Sequence, residues 1–153
     1  MPEAAPARQI EVLLAEDNEF DVQVTIAAFR DARVPNKLHC VPDGEAAIAF
    51  LKRMGEHGTA PRPDLILLDL DLPKMSGLEV LEEIKAHPSL RNIPVVIVSG
   101  NIHEGDIKRA YELQVSSFLM KPAEVDEYFA SIRSLKELWF HAASPAPKPD
   151  SPA

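Results

Sequence analysis

The stretch Leu65-Ile66-Leu67-Leu68-Asp69-Leu70-Asp71-Leu72-Pro73 decides the fold. Four consecutive apolar residues read as a strand buried on both faces, the kind found in a parallel sheet covered on both sides. Asp69 follows at once, so an ionisable carboxylate stands at the C-terminal lip of that strand, where a parallel sheet presents its chemistry. The chain repeats the arrangement. Val12-Leu13-Leu14-Ala15 runs into Glu16-Asp17, Val95-Val96-Ile97-Val98 into Ser99, and Phe118-Leu119-Met120 into Lys121. Four strand ends thus deliver carboxylates, a hydroxyl and an ammonium to one edge, a pattern suited to a metal ion and a phosphoryl group.

Working outward, strands and helices alternate. The first strand is expected over Ile10 to Ala15, followed by a helix capped by Asn18, with Asp21 as an acidic partner near its N-terminus. That helix runs to about Ala32 with Val22, Ile26 and Phe29 inward. Pro35-Asn36 leads into a second strand ending near Val41, and Asp43-Gly44 turns the chain again. A second helix carries Ala46, Ala47, Phe50 and Leu51 as far as Gly55, before an exposed loop from Glu56 to Pro63. The third strand is Leu65 to Asp69. Ser76-Gly77-Leu78-Glu79 reads as a capping box opening a helix with Leu78, Leu81 and Ile84 inward and Pro88 at its end. Ile93 to Ser99 is the fourth strand, Glu104 to Leu113 a short helix, and Ser116 to Met120 the fifth strand. The last helix places Val125, Phe129, Ile132, Leu135 and Trp139 at spacings of three and four. Such an alternation implies an α/β, doubly wound five-stranded parallel sheet. The expected strand order is 2-1-3-4-5, the flavodoxin-like arrangement, whose ligand crevice opens where strands one and three diverge. Those strands end in Glu16-Asp17 and Asp69.

The 153 residues suit one domain with a real core, 46% apolar and 26% charged. A formal net charge of −8 argues against a nucleic-acid partner, which requires a clustered basic surface. No apolar run approaches the roughly 20 residues of a membrane span, and residues 1–9 lack a signal-peptide core. One cysteine, Cys40, excludes an internal disulfide framework and fits a cytoplasmic protein. At a strand end, it is expected to be a small core residue. Pro and Ala gather at both ends, so residues 1–8 and 142–153 are expected to be flexible tails around a domain spanning 9–141.

Three converging carboxylates repel one another unless a cation sits among them. An all-oxygen, incomplete cage suits Mg²⁺ better than Ca²⁺, whose dense loop spacing is absent. His39, His57, His87, His103 and His141 are scattered without zinc-ligand spacing and are expected at the surface. Lys121 would add positive charge for a phosphoryl group, and Ser99 could donate a hydrogen bond to it. Asp69 then has two available roles, metal ligand and nucleophile.

With those residues placed, Ile10 to Phe140 resembles the receiver domains of two-component response regulators. The resemblance rests on Glu16-Asp17-Asn18, the run from Leu65 to Gly77, Val95 to Gly100, and Phe118-Leu119-Met120-Lys121-Pro122. It implies that Asp69 is the phosphoacceptor and that Mg²⁺ is bound by Asp17, Asp69 and the backbone carbonyl of Asp71, with Glu16 acting through water. It further makes Ser99 the switch hydroxyl, Lys121 the phosphoryl-pairing lysine and Phe118 the rotating aromatic of the switch. Asp71 and Gly100 depart from the common pattern, Asp71 adding negative charge beside the site and Gly100 leaving it open. The loop before the third strand, Ala110 to Val115, and Leu138-Trp139-Phe140 look like the stand-alone regulators paired with bacterial phytochromes. That narrower resemblance implies a light-regulated sensor histidine kinase as donor and a homodimer through the C-terminal face.

The implied function is not that of an enzyme acting on other substrates, since the chain would catalyse only its own phosphorylation and dephosphorylation. Two other classes stay open. A receiver-fold interaction module that is never phosphorylated would normally lack one of these site residues. A small phosphatase of the haloacid-dehalogenase type would share the Asp69-Leu70-Asp71 spacing, but there the pair follows the first strand.

Overall fold

The computed structural model describes residues 9–100, 103–121 and 124–135. Ile10–Ala15 (β1), Asn36–Val41 (β2), Leu65–Leu68 (β3), Val95–Ser99 (β4) and Ser117–Met120 (β5) form one parallel sheet in the order β2-β1-β3-β4-β5. Ala15 pairs with Leu68, Leu68 with Ile97, and Ile97 with Phe118, so β1, β3, β4 and β5 end together at one edge. The doubly wound fold expected from the sequence is the observed one.

Alternation along the strands divides the core in two. Leu13, Ala15, Ile66, Leu68, Val95 and Ile97 point to one face of the sheet. There they meet the helices Gly44–Leu51 (α2), Gly77–Ala86 (α3) and Glu104–Glu112 (α4) through Phe50, Leu81, Ile84 and Ala110. Ile10, Val12, Leu14, Leu65, Leu67, Val96 and Val98 point to the other, against Glu19–Ala32 (α1) and Val125–Ser134 (α5). All of β3 and β4 and nearly all of β1 are buried, and a large aliphatic side chain contributes about 1.5–3 kcal/mol when fully buried. No helix among the described residues is long and apolar enough to cross a membrane.

The caps follow the sequence. Asn18 Oδ1 accepts from the Asp21 N–H, and Ser76 and Glu79 complete both halves of the capping box on α3. Asp43, expected only as a turn residue, caps α2 by accepting from the Ala46 N–H. Helix α2 stops at Leu51, short of Gly55. Arg53 takes a left-handed φ of 56°, and Gly55, at φ 58°, opens a 3₁₀ turn that runs to His57, into the loop expected from Glu56 to Pro63.

Three other expectations are corrected. Cys40 is exposed, because β2 is an edge strand whose residues before Val41 are only partly covered. His39 and His57 are half-buried rather than superficial, since both rings pack on Phe50 and His39 also pairs with Glu11 at 2.7 Å. Val125 is exposed, and α5 instead buries Tyr128 with Ile132 and Leu135. A phenol can occupy that inward position because its hydroxyl meets Thr25 Oγ1 at 2.9 Å across the α1–α5 seam. Both expected tails, His141, Trp139 and Phe140 lie outside the described residues.

Candidate functional site

The edge where β1, β3, β4 and β5 end gathers the chemistry. Glu16 and Asp17 leave β1, Asp69 leaves β3, Ser99 closes β4, and Lys121 follows β5. The backbone continues the sheet into the site. The Glu16 N–H donates to Val41 O, the Asp69 N–H to Ala15 O, and the Lys121 N–H to Ser99 O, at 2.9–3.2 Å. These bonds fix where the side chains emerge before any side-chain contact is made.

Asp69 is buried, and both of its carboxylate oxygens accept hydrogen bonds. Oδ1 accepts from the Asp71 N–H at 3.0 Å and Oδ2 from Lys121 Nζ at 3.0 Å. The loop after β3 holds that geometry through Gly77, whose N–H donates to Leu70 O. A Cβ on Gly77 would lie 2.3 Å from the Asp69 carbonyl oxygen, so this close approach requires glycine. The Asp71 side chain faces solvent, and only its backbone amide engages Asp69.

Lys121 Nζ also donates to Glu16 Oε1 at 2.7 Å and to Asp21 Oδ2 at 2.9 Å. Burial acts to lower the Lys121 pKa, but its hydrogen bonds to Glu16 and Asp21 and the negative charges of Asp69 and Glu16 outweigh this and raise it. The ammonium is therefore fully charged at neutral pH. Glu16 shifts the other way. Burial, assisted by the charge of Asp69, pushes its carboxyl up to about 7 despite the Lys121 ammonium and the Asn18 N–H, which donates to Oε2. Three carboxylates, Glu16, Asp21 and Asp69, share this one ammonium, so negative charge is in excess here.

That excess is what a divalent cation would meet. Oxygen atoms of Glu16, Asp17 and Asp69 lie within 4.8 Å of one another, an all-oxygen donor set with the exposed Asp17 open to water. Hard oxygen ligands, few in number and partly solvated, fit Mg²⁺ and exclude a zinc-type cage. No histidine joins this cluster among the described residues.

The Ser99 side chain is completely buried, and its Oγ has no hydrogen-bond partner among the described residues. Phe118 is half-buried and packs on the core shared with α2, α3 and α4. Gly100 is exposed, and a Cβ there would only touch the Lys121 stem at 3.7–3.8 Å, so the site is open on that side. The structure brings Glu16, Asp17, Asp69 and Lys121 together. Ser99 and Phe118 stand on the two neighbouring strands, and Asp71 contributes through its backbone.

Asp21 is the site residue that the sequence does not single out, because a favourable charge at a helix N-terminus already accounts for it. The available signal was its spacing. It stands four residues after Asp17, in the first turn of α1.

A sheet of this order, with an acidic cluster, a lysine and a buried serine at its C-terminal edge, defines a signal-receiving domain. Residues 12–133 match the response regulator receiver domain family, and the chain belongs to it. Within that family it is similar to the response regulator Rcp1 of Synechocystis sp., with 38% identity over 87% of this chain and 90% of that protein. Among solved structures it is similar to a phosphorylated cyanobacterial phytochrome response regulator, RcpA. The identity is 41% and the TM-score 0.83, covering 91% of this chain and all of the other. The Mn²⁺-bound form of Rcp1 matches at 36% identity and a TM-score of 0.80, covering 94% of this chain and 99% of that one.

Proposed function

We propose that this chain is a single-domain response regulator that accepts a phosphoryl group on Asp69 from a partner histidine kinase. The observation that carries the reading is the state of Asp69. It is a buried carboxylate fixed at both oxygens, placed beside a permanently charged lysine, within a carboxylate cluster suited to Mg²⁺.

In this reading an Asp69 oxygen attacks the phosphorus of a phosphohistidine in line, forming a P–O bond as the P–N bond breaks. The imidazole leaves with the kinase. Lys121 pairs with a phosphoryl oxygen, and the Asp71 N–H keeps the carboxylate oriented. Glu16, Asp17, Asp69 and the Asp71 carbonyl would hold Mg²⁺, which when bound neutralises charge that spreads over the phosphoryl oxygens. Ser99, whose hydroxyl has no partner among the described residues, is drawn to the new phosphoryl group, and Phe118 repacks into the space released. A local change of charge thereby biases a packing switch on the face formed by α4, β5 and α5. The chain catalyses only its own phosphorylation and dephosphorylation, and Asp71 sets the phosphoryl lifetime through the charge it places beside the site.

Similarity to RcpA and Rcp1 supports a bacteriophytochrome as the kinase and a cytoplasmic location. Ile107 and Tyr111 of α4 are exposed and support a homodimer on the C-terminal face.

The test is intact mass after incubation with acetyl phosphate, with and without Mg²⁺, for wild type and Asp69→Ala. A Mg²⁺-dependent adduct of one phosphoryl group, lost in the variant, is expected. A natively folded wild type that takes no adduct from acetyl phosphate or from a phosphorylated kinase would instead be an interaction module.

A further inference from the structure

A lysine ammonium has three N–H donors, and in this protein carboxylates take all three. Glu16 Oε1, Asp21 Oδ2 and Asp69 Oδ2 lie 2.7, 2.9 and 3.0 Å from Lys121 Nζ. An incoming phosphoryl oxygen can pair with Lys121 only if one of these bonds is surrendered. The three partners differ sharply in what that surrender would cost.

Glu16 and Asp69 have side chains only 5% and 8% exposed. A buried carboxylate separated from its cation keeps its desolvation penalty and gains little in return. Asp69 is also the residue to be modified, so its own oxygens must remain in place. Asp21 is 32% exposed, and on release its carboxylate regains water. It also has somewhere to go. A solvent-open cavity of about 60 Å³ between α1 and α5 is lined by Asp21, Lys121 and Glu124 together with Phe20, Val24 and Tyr128, and the second acidic side chain, Glu124, directs a released Asp21 carboxylate toward the solvent side of it. Asp21 stands outside the carboxylate cluster of Glu16, Asp17 and Asp69, so its movement leaves that cluster intact.

From this geometry we infer that Asp21 is a positioning residue that occupies the phosphoryl-binding donor of Lys121 in the resting protein and is displaced when the phosphoryl group arrives. The inference rests on Asp69 being the phosphoacceptor. Asp21 has two opposing effects. It holds the lysine beside Asp69 when no phosphoryl group is there, and it competes with that group for the same N–H. The competition is between a single carboxylate charge and a phosphoryl group carrying nearly two, so the phosphoryl group prevails once bonded to Asp69. During its approach, however, Asp21 both occupies the donor and repels the donor's anion.

Removing the charge while keeping the shape should therefore accelerate phosphorylation. Asp21→Asn is expected to raise the rate of Asp69 phosphorylation by acetyl phosphate at saturating Mg²⁺ about 3- to 10-fold, from a like charge removed at close range. The gain should shrink as ionic strength rises, and Asp21→Glu should restore a slow, wild-type-like rate. A merely structural role would slow the reaction or leave it alone, and would lower the thermal midpoint. Intact mass against time gives the rate, and a thermal scan of each variant confirms the fold. A wild type phosphorylated on Asp69 alongside an Asp21→Asn that is folded but no faster overturns this inference alone. A wild type that never takes a phosphoryl group overturns both this inference and the reading beneath it.

Discussion

Replacing Ser99 with alanine should make the unphosphorylated protein more stable, although it removes a residue from the heart of the site. Ser99 is 0% exposed and its Oγ meets no partner among the described residues. A buried hydroxyl that has lost its hydrogen bonds to water and gained none costs roughly 1–3 kcal/mol. Alanine deletes that oxygen and retains the Cβ, leaving a gap far smaller than a methylene cavity, so about half a kcal/mol of lost packing is set against the gain. The expected net effect is about 1–2 kcal/mol in favour of Ser99→Ala. Unfolding entropy for a domain of this size is roughly 0.3 kcal/mol/K, so the thermal midpoint should rise by about 3–7 °C. Urea denaturation and calorimetry without Mg²⁺ or phosphodonor measure this directly, and the urea m-value should not change. The same variant should still take a phosphoryl group on Asp69 from acetyl phosphate. If Ser99 carries the proposed switch, phosphorylation should shift hydrogen exchange on the face formed by α4, β5 and α5 much less in this variant than in wild type. An alanine variant as stable as wild type, or less so, would refute the argument that the resting fold holds this hydroxyl at a cost. Such a cost is typical of a group kept for function.

Gly77→Ala should destabilise the domain by about 1–3 kcal/mol and slow phosphorylation, because the new Cβ would sit 2.3 Å from the Asp69 carbonyl oxygen and 2.7 Å from Leu70 Cα. An unchanged urea midpoint would show that the loop can retreat without loss. The pH dependence of the metal-free protein should carry the signature of Glu16. Its folded pKa of about 7 lies above the unfolded value of 4.5, so its contribution is fully favourable below pH 4.5 and is lost as pH rises through 7. Measured against Glu16→Gln, wild type should therefore lose stability on the order of 2 kcal/mol between pH 4.5 and 8. A flat difference across that range would show that Glu16 is ionised throughout. Tyr128→Phe should cost about 1 kcal/mol by removing the hydroxyl pair with Thr25. Equal midpoints by urea denaturation would mean that this bond contributes nothing to the α1–α5 seam.

The sheet was legible because its strands are apolar without interruption and end in groups that an apolar interior would reject. Leu65 to Leu68 cannot alternate between water and core, so a two-faced buried strand was the available reading, and Asp69 marked where burial had to stop. The same logic failed for β2. A strand at the sheet edge is covered by fewer neighbours, and nothing in Lys37-Leu38-His39-Cys40 announces that the chain has reached the edge, so the sequence alone points Cys40 into the core where the fold exposes it. On α5 the expected Phe129, Ile132 and Leu135 do pack on the core. Tyr128 takes an inward place that the pattern does not give it, because it counts as inward only if its hydroxyl has a partner. That partner, Thr25, lies 103 residues away on another helix.

Asp21 was hidden for a different reason. An acidic residue in the first turn of a helix is already accounted for by the helix dipole, and a sufficient local explanation gives no cause to seek a distant one. The local and tertiary roles nevertheless use different atoms. The backbone N–H of Asp21 donates to the Asn18 cap, its carbonyl accepts from Thr25, and its carboxylate reaches Lys121 on the opposite side of the site. One residue thus joins the helix start, the α1–α5 seam and Lys121. A change in what Lys121 binds is therefore felt at α1 through a single side chain, without any rearrangement of the sheet. The strand ends fix the carboxylates and the serine rigidly. The adjustable elements of the site are those the sheet does not hold: the ammonium at the end of a long, flexible stem and the half-exposed carboxylate it can release.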